Sequence, residues 1–243
     1  MRSAILALAA GALGSTLAGA PPVELERVVA AIRWPTSSDV VVLTRTRVEE
    51  ETRIALVSSG ATLAASQPLD AAALRAGLGW LVDQLLLADE AARLQVFEGD
   101  GADGPAELQR FRARFAAPRD YQAFLQLCDL SEAELEATLR RSLRVRRYVE
   151  SRVSHAAQVT ESEVDAWLAR HGAAQGVRDR KEARSRLSQR RVKEEVEALV
   201  LALRSRAEVR ILDEALRAQG PGGDPRGAAP LPAGDGAGAT GGR

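Results

Sequence analysis

Asp70-Ala71-Ala72-Ala73-Leu74-Arg75-Ala76-Gly77-Leu78-Gly79-Trp80-Leu81-Val82-Asp83-Gln84-Leu85-Leu86-Leu87-Ala88 decides the fold class. Over residues 70–97, Leu74, Leu78, Leu81, Leu85, Ala88, Ala92 and Val96 recur at steps of four or three, the spacing that lines one face of a 3.6-residue helix. A stripe that long must be covered by other helices, so the chain reads as mainly α.

The partners follow downstream. Gly99-Asp100-Gly101-Ala102-Asp103-Gly104 breaks the chain, and residues 107–115 and 120–127 then read as two shorter helices carrying aromatic side chains. Ser131-Glu132-Ala133-Glu134 opens the next helix with a capping box, its inner face marked by Leu135, Leu139, Leu143, Val149 and Val153; Thr160-Glu161-Ser162-Glu163 opens another, followed by Val164, Trp167 and Leu168. A long helix over residues 178–206 packs Val192, Val196, Leu199, Val200 and Leu203 inward.

Strands are expected only near the ends. Arg27-Val28-Val29-Ala30-Ala31-Ile32-Arg33 and Asp39-Val40-Val41-Val42-Leu43 form a hairpin around a loose Trp34-Pro35-Thr36-Ser37-Ser38 turn. A short helix then ends near Gly60, capped by Thr46, which has capping-box spacing to Glu49, or by Thr44. Glu208-Val209-Arg210-Ile211 alternates as a half-buried strand should. A lone terminal strand would leave its backbone unpaired, so residues 208–212 are expected to pair with residues 27–33.

The first twenty residues combine Arg2, an apolar run from Ala4 to about Leu13 and the ending Ala18-Gly19-Ala20, the pattern of a cleaved secretory signal peptide. Residues 21–219 form the helical domain. From Gly220 the chain is glycine, proline and alanine with almost no large apolar residue, so residues 220–243 read as a disordered tail. No later apolar run is expected to span a bilayer, so stable membrane insertion is not expected. Lysine plus arginine and aspartate plus glutamate balance at 33 each, which removes any global pull toward nucleic acid. The only cysteine, Cys128, lies in an apolar stretch and reads as a small core residue, with an intermolecular disulfide or a reactive thiol as alternatives.

No catalytic constellation emerges from the residue pattern. There is no G-x-S-x-G, and the only histidines, His155 and His171, are too few and too far apart to build a triad or a zinc site. No glycine loop cradles a phosphate, and the acidic glycine loop lacks the ligand spacing of a calcium site. Cofactors are therefore not expected. Glu49-Glu50-Glu51 and Glu194-Glu195 read as surface charge. Arg140, Arg141, Arg144, Arg146, Arg147 and Arg152 read as a solvated basic side balanced by neighbouring glutamates, or as a face that meets an acidic partner. Trp34, Trp80 and Trp167 are scattered among apolar residues, whereas Phe111, Phe115, Tyr121 and Phe124 are a denser group that is either core or the lining of a groove for apolar peptide segments.

Taken in order, these segments resemble SurA-type periplasmic chaperones. The likeness runs over residues 25–212, through Arg27-Val28-Val29-Ala30-Ala31-Ile32, Gly79-Trp80-Leu81-Val82-Asp83-Gln84-Leu85-Leu86-Leu87, Leu130-Ser131-Glu132-Ala133-Glu134-Leu135, Val159-Thr160-Glu161-Ser162-Glu163-Val164 and Arg206-Ala207-Glu208-Val209-Arg210-Ile211-Leu212. The resemblance implies a multi-helix chaperone core with a small sheet, working in the periplasm without ATP on unfolded or extended polypeptides such as outer-membrane protein precursors. Trp80, Phe111, Phe115, Tyr121 and Phe124 are the corresponding client-binding candidates. The family inserts parvulin-type prolyl isomerase domains where this chain has only His171-Gly172-Ala173-Ala174-Gln175-Gly176-Val177, so isomerase activity is not expected. A non-catalytic assembly subunit that binds one folded envelope partner is the alternative.

Overall fold

A computed structural model describes residues 26–34, 39–95, 103–154, 158–172 and 179–217. The expected signal peptide and tail, residues 35–38 of the hairpin turn, and His155 lie outside the described residues.

The architecture is mainly α with one small antiparallel sheet, as the sequence pattern predicts. Strands β1 (Val28–Arg33) and β2 (Val40–Thr44) form the hairpin, and β3 (Glu208–Ile211) returns from the far end of the chain to the other side of β1, giving the order β2-β1-β3. Ile32 pairs with both Val41 and Val209, and Ala30 with both Leu43 and Ile211, so these residues share the face turned to the core. The expected pairing of the chain ends is therefore present, and it supplies β1 with backbone partners on both sides.

Local chemistry accounts for the helix ends. Thr44, not Thr46, caps α1 (Arg45–Ser58), its Oγ1 accepting from the Arg47 N–H at 3.3 Å. Gly60 closes the helix with φ +88°, where its N–H donates to Val57 O and the Ala61 N–H to Leu56 O, a left-handed turn that glycine adopts without strain. A short helix α2 (Thr62–Ala65) follows, too brief to leave a periodic signal in the sequence. Asp70 caps α3 (Ala71–Arg93), which stops short of the expected residue 97 at Leu94, with Gln95 in the left-handed region at φ 52°. Helix α4 (Asp103–Arg112) includes residues before the expected start at 107, and its Asp103 is held by both terminal nitrogens of Arg147, at 2.6 and 2.8 Å. Helix α5 (Pro118–Leu127) starts on proline, while α6 (Glu132–Val153) and α7 (Glu161–Trp167) open with the expected capping boxes at Ser131 and Thr160. A π-helical turn (Leu168–Gly172) extends α7, and Asp179 caps α8 (Arg180–Arg206).

Helix α6 connects two cores. Its Leu135 and Leu139 join Ile54, Val57, Leu108 and the aromatic rings of α4 and α5, while its Val145, Tyr148, Val149 and Val153 join the sheet, α3 and Leu203 of α8. Leu78, Leu81 and Leu87 of α3 are essentially inaccessible, each contributing about 1.5–3 kcal/mol by leaving water. A third, small cluster holds Val164, Trp167 and Ala183 between α7 and the start of α8. Of the five residues expected to face inward from α8, Leu203 is buried and Val192, Val196, Leu199 and Val200 are half-buried against the first core.

Three expectations need correction. Glu51 is not surface charge: its side chain is 6% exposed, and both carboxylate oxygens accept from Arg141 at 2.5 Å, tying α1 to α6. The basic side of α6 is likewise not simply solvated, because Arg146 reaches Glu107 at 2.6 Å and Arg147 reaches Asp103, both on α4. Charge that looked free in the sequence thus fastens α6 to its neighbours within one chain. Finally, α3 is long and apolar enough by composition to cross a membrane, with a mean hydropathy of 1.3, although here α1, α6 and α8 pack on it.

Candidate functional site

The structure brings four of the five candidate residues together. Phe111 on α4, Phe115 just beyond it, and Tyr121 and Phe124 on α5 meet with ring centroids 5.5–5.7 Å apart, tilted or edge-on as aromatic quadrupoles prefer. Arg112 lies over the Tyr121 ring at 5.1 Å and pairs with Glu132 at the start of α6. Phe111, Tyr121 and Phe124 are only 3–4% exposed and belong to the second core; Phe115 is half-buried at its margin. The cluster packs α4 and α5 against Leu135 and Leu139 of α6. Trp80 sits apart from it, half-buried on α3 beside the first core.

Nucleophiles and metal ligands are equally enclosed or dispersed. Cys128 caps α5 and is 4% exposed, and burial pushes its thiol up to about 11, so it remains protonated and inert at neutral pH. His171 stacks on Trp167 with centroids 5.4 Å apart, its Nδ1 3.3 Å from the Trp167 carbonyl. Among the described residues no group of three or more histidine, cysteine or acidic side chains is placed to hold a metal ion.

Among the described residues, depressions lie at two helix junctions. One of about 220 Å³ lies where the ends of α3 and α8 meet, bordered by Trp34, Asp89, Glu90, Arg93 and Arg206. The other, about 360 Å³, lies between α7 and α8 beside Trp167, Leu187, Arg170 and the Glu163–Arg191 pair. There the Arg191 guanidinium, followed by the Thr160 backbone and hydroxyl, holds the Glu163 carboxyl down at about 2.

Accessible apolar surface lies elsewhere, at positions the aromatic pattern did not flag. Leu63 on α2 is 87% exposed and Leu201 on α8 is 70% exposed, while Val40 and Val42 of β2 project from the outer sheet face. Only Leu201 had a readable signal, since it falls outside the inward stripe of α8. Compared with protein-family models and with curated proteins, the chain matches none.

Proposed function

We propose that this protein is an ATP-independent chaperone of the periplasm, exported by a cleaved signal peptide, that binds unfolded or extended polypeptides such as outer-membrane protein precursors. The observation that carries this is the return of α8 and β3 onto the N-terminal elements, with β3 paired to β1 along four residues. That topology is what the resemblance to SurA-type chaperones implies: one core assembled from both ends of the chain, interrupted between α7 and α8 where the family carries its isomerase insertion. Exposed apolar side chains such as Leu63 and Leu201 supply weak, nondirectional contacts of about 1–2 kcal/mol each, suited to capture and release without nucleotide hydrolysis.

The dedicated assembly subunit is the second proposal, favoured by one observation. The aromatic cluster is interior, with Phe111, Tyr121 and Phe124 only 3–4% exposed, an arrangement better matched to a folded partner than to a peptide threaded between the rings. Crosslinking in the periplasm separates the two. A chaperone should yield many outer-membrane precursors in substoichiometric amounts, and a single stoichiometric folded protein would overturn the chaperone proposal.

A further inference from the structure

The outer edge of β2 is built to pair with another strand. Val28 lies opposite Thr44, and the Arg45 N–H donates to Arg27 O at 2.8 Å, which fixes the phase of the ladder. Arg45, Leu43 and Val41 turn their backbone groups toward β1, so Val40 and Val42 turn theirs away from it, as does the Thr44 N–H, while the Thr44 carbonyl is committed to the first turn of α1. Among the described residues no strand meets them on that side. Edge strands are ordinarily blunted by charge, proline or a bulge. Val40-Val41-Val42-Leu43-Thr44 carries neither charge nor proline, the one bulge of the hairpin lies on β1, and Val40 and Val42 are 43% and 45% exposed.

We infer that this edge joins the same edge of a second copy, antiparallel about a twofold axis through Val42, to make a continuous six-stranded sheet. Charge selects the occupant. Pairing β2 with itself in that register sets Val40 against Thr44 and places Asp39, exposed just before the strand, opposite Arg45, the exposed first residue of α1, at both ends of the interface. The Arg45 Nε donates to Glu49 at 2.9 Å, and in the pair its terminal nitrogens face the partner strand's end. The two-fold arrangement also closes. It leaves only the β3 edges outside, where Glu208 and Arg210 supply the charge that discourages further strand addition. This dimer does not depend on the chaperone proposal, and an extended client at the same edge would have no reason to match Asp39 and Arg45.

Sedimentation velocity of the purified protein over a concentration series at low salt should show reversible conversion from one chain mass to twice that mass. Val42→Pro removes an N–H that faces away from β1, so the three-stranded sheet keeps its ladder and its melting temperature while the dimer is lost. Asp39→Arg and Arg45→Asp should each weaken the dimer several-fold by setting like charges opposite each other, and the double variant should restore it. The swap keeps the test decisive should the proline variant fail to fold. A monomer at every concentration, a dimer that persists in folded Val42→Pro, or a double swap that fails to rescue would each overturn the inference.

Discussion

Glu50 shows how burial and neighbours set the behaviour of one side chain. Burial pushes its carboxyl from 4.5 to about 7, and Glu51, Glu26, Glu134 and Asp129 add to the rise. Between those two values the folded protein holds a proton that the unfolded chain has released, so stability is greatest at the acidic end and falls as pH climbs toward 7. Glu50→Gln should therefore flatten the decline of melting temperature from about pH 5 to 7.5, raising it at pH 8 and leaving it nearly unchanged at pH 4.5. Thermal denaturation across that series tests it; an equal shift at all pH values would point to packing instead. The run Glu49-Glu50-Glu51 looked like surface charge because nothing local distinguishes its members. Glu51 is buried by Arg141, 90 residues away, and sequence spacing on one helix carries no record of such a partner.

Two glycines on α3 separate close packing from helix propensity. A Cβ at Gly77 would lie 1.8 Å from Thr52 Oγ1, whose side chain is already committed to the Val48 carbonyl, so α1 and α3 touch at that point. Nothing lies within 4 Å of the Cβ position at Gly79. Gly77→Ala should cost about 2 kcal/mol by forcing the helices apart. Gly79→Ala should instead gain about 0.5–1 kcal/mol, the ordinary preference for alanine inside a helix. Chemical denaturation of the pair measures both, and equal effects would contradict the crossing. Two element boundaries were legible because their cause is local and strong: the capping boxes at Ser131 and Thr160 open their helices where the sequence places them. The first turn of α4 was not legible; its Asp103 meets Arg147 on another helix, a partner 44 residues away that local spacing does not record.

For the whole molecule, closure of the sheet by β3 is the organising contact. Its pairing with β1 was legible because a strand with no partner leaves backbone groups unsatisfied and only one apolar hairpin was available. Deleting residues 207–243 should lower the melting temperature by several degrees, whereas deleting 221–243 should leave it in place; equal effects would remove β3 from the stabilising frame. The aromatic group was ambiguous for a different reason. Phe111, Phe115, Tyr121 and Phe124 have the same spacing whether they line a groove or fill a core, and only the position of α6 decides. With those rings interior, the proposed capture of clients would fall to the accessible apolar surface, such as Leu63 and Leu201. The most direct measurement is light scattering from an unfolded outer-membrane protein diluted out of denaturant without ATP, over a range of ratios of this protein to client. A chaperone slows the rise in proportion to its concentration, and aggregation unchanged across several unfolded clients would contradict the proposed function.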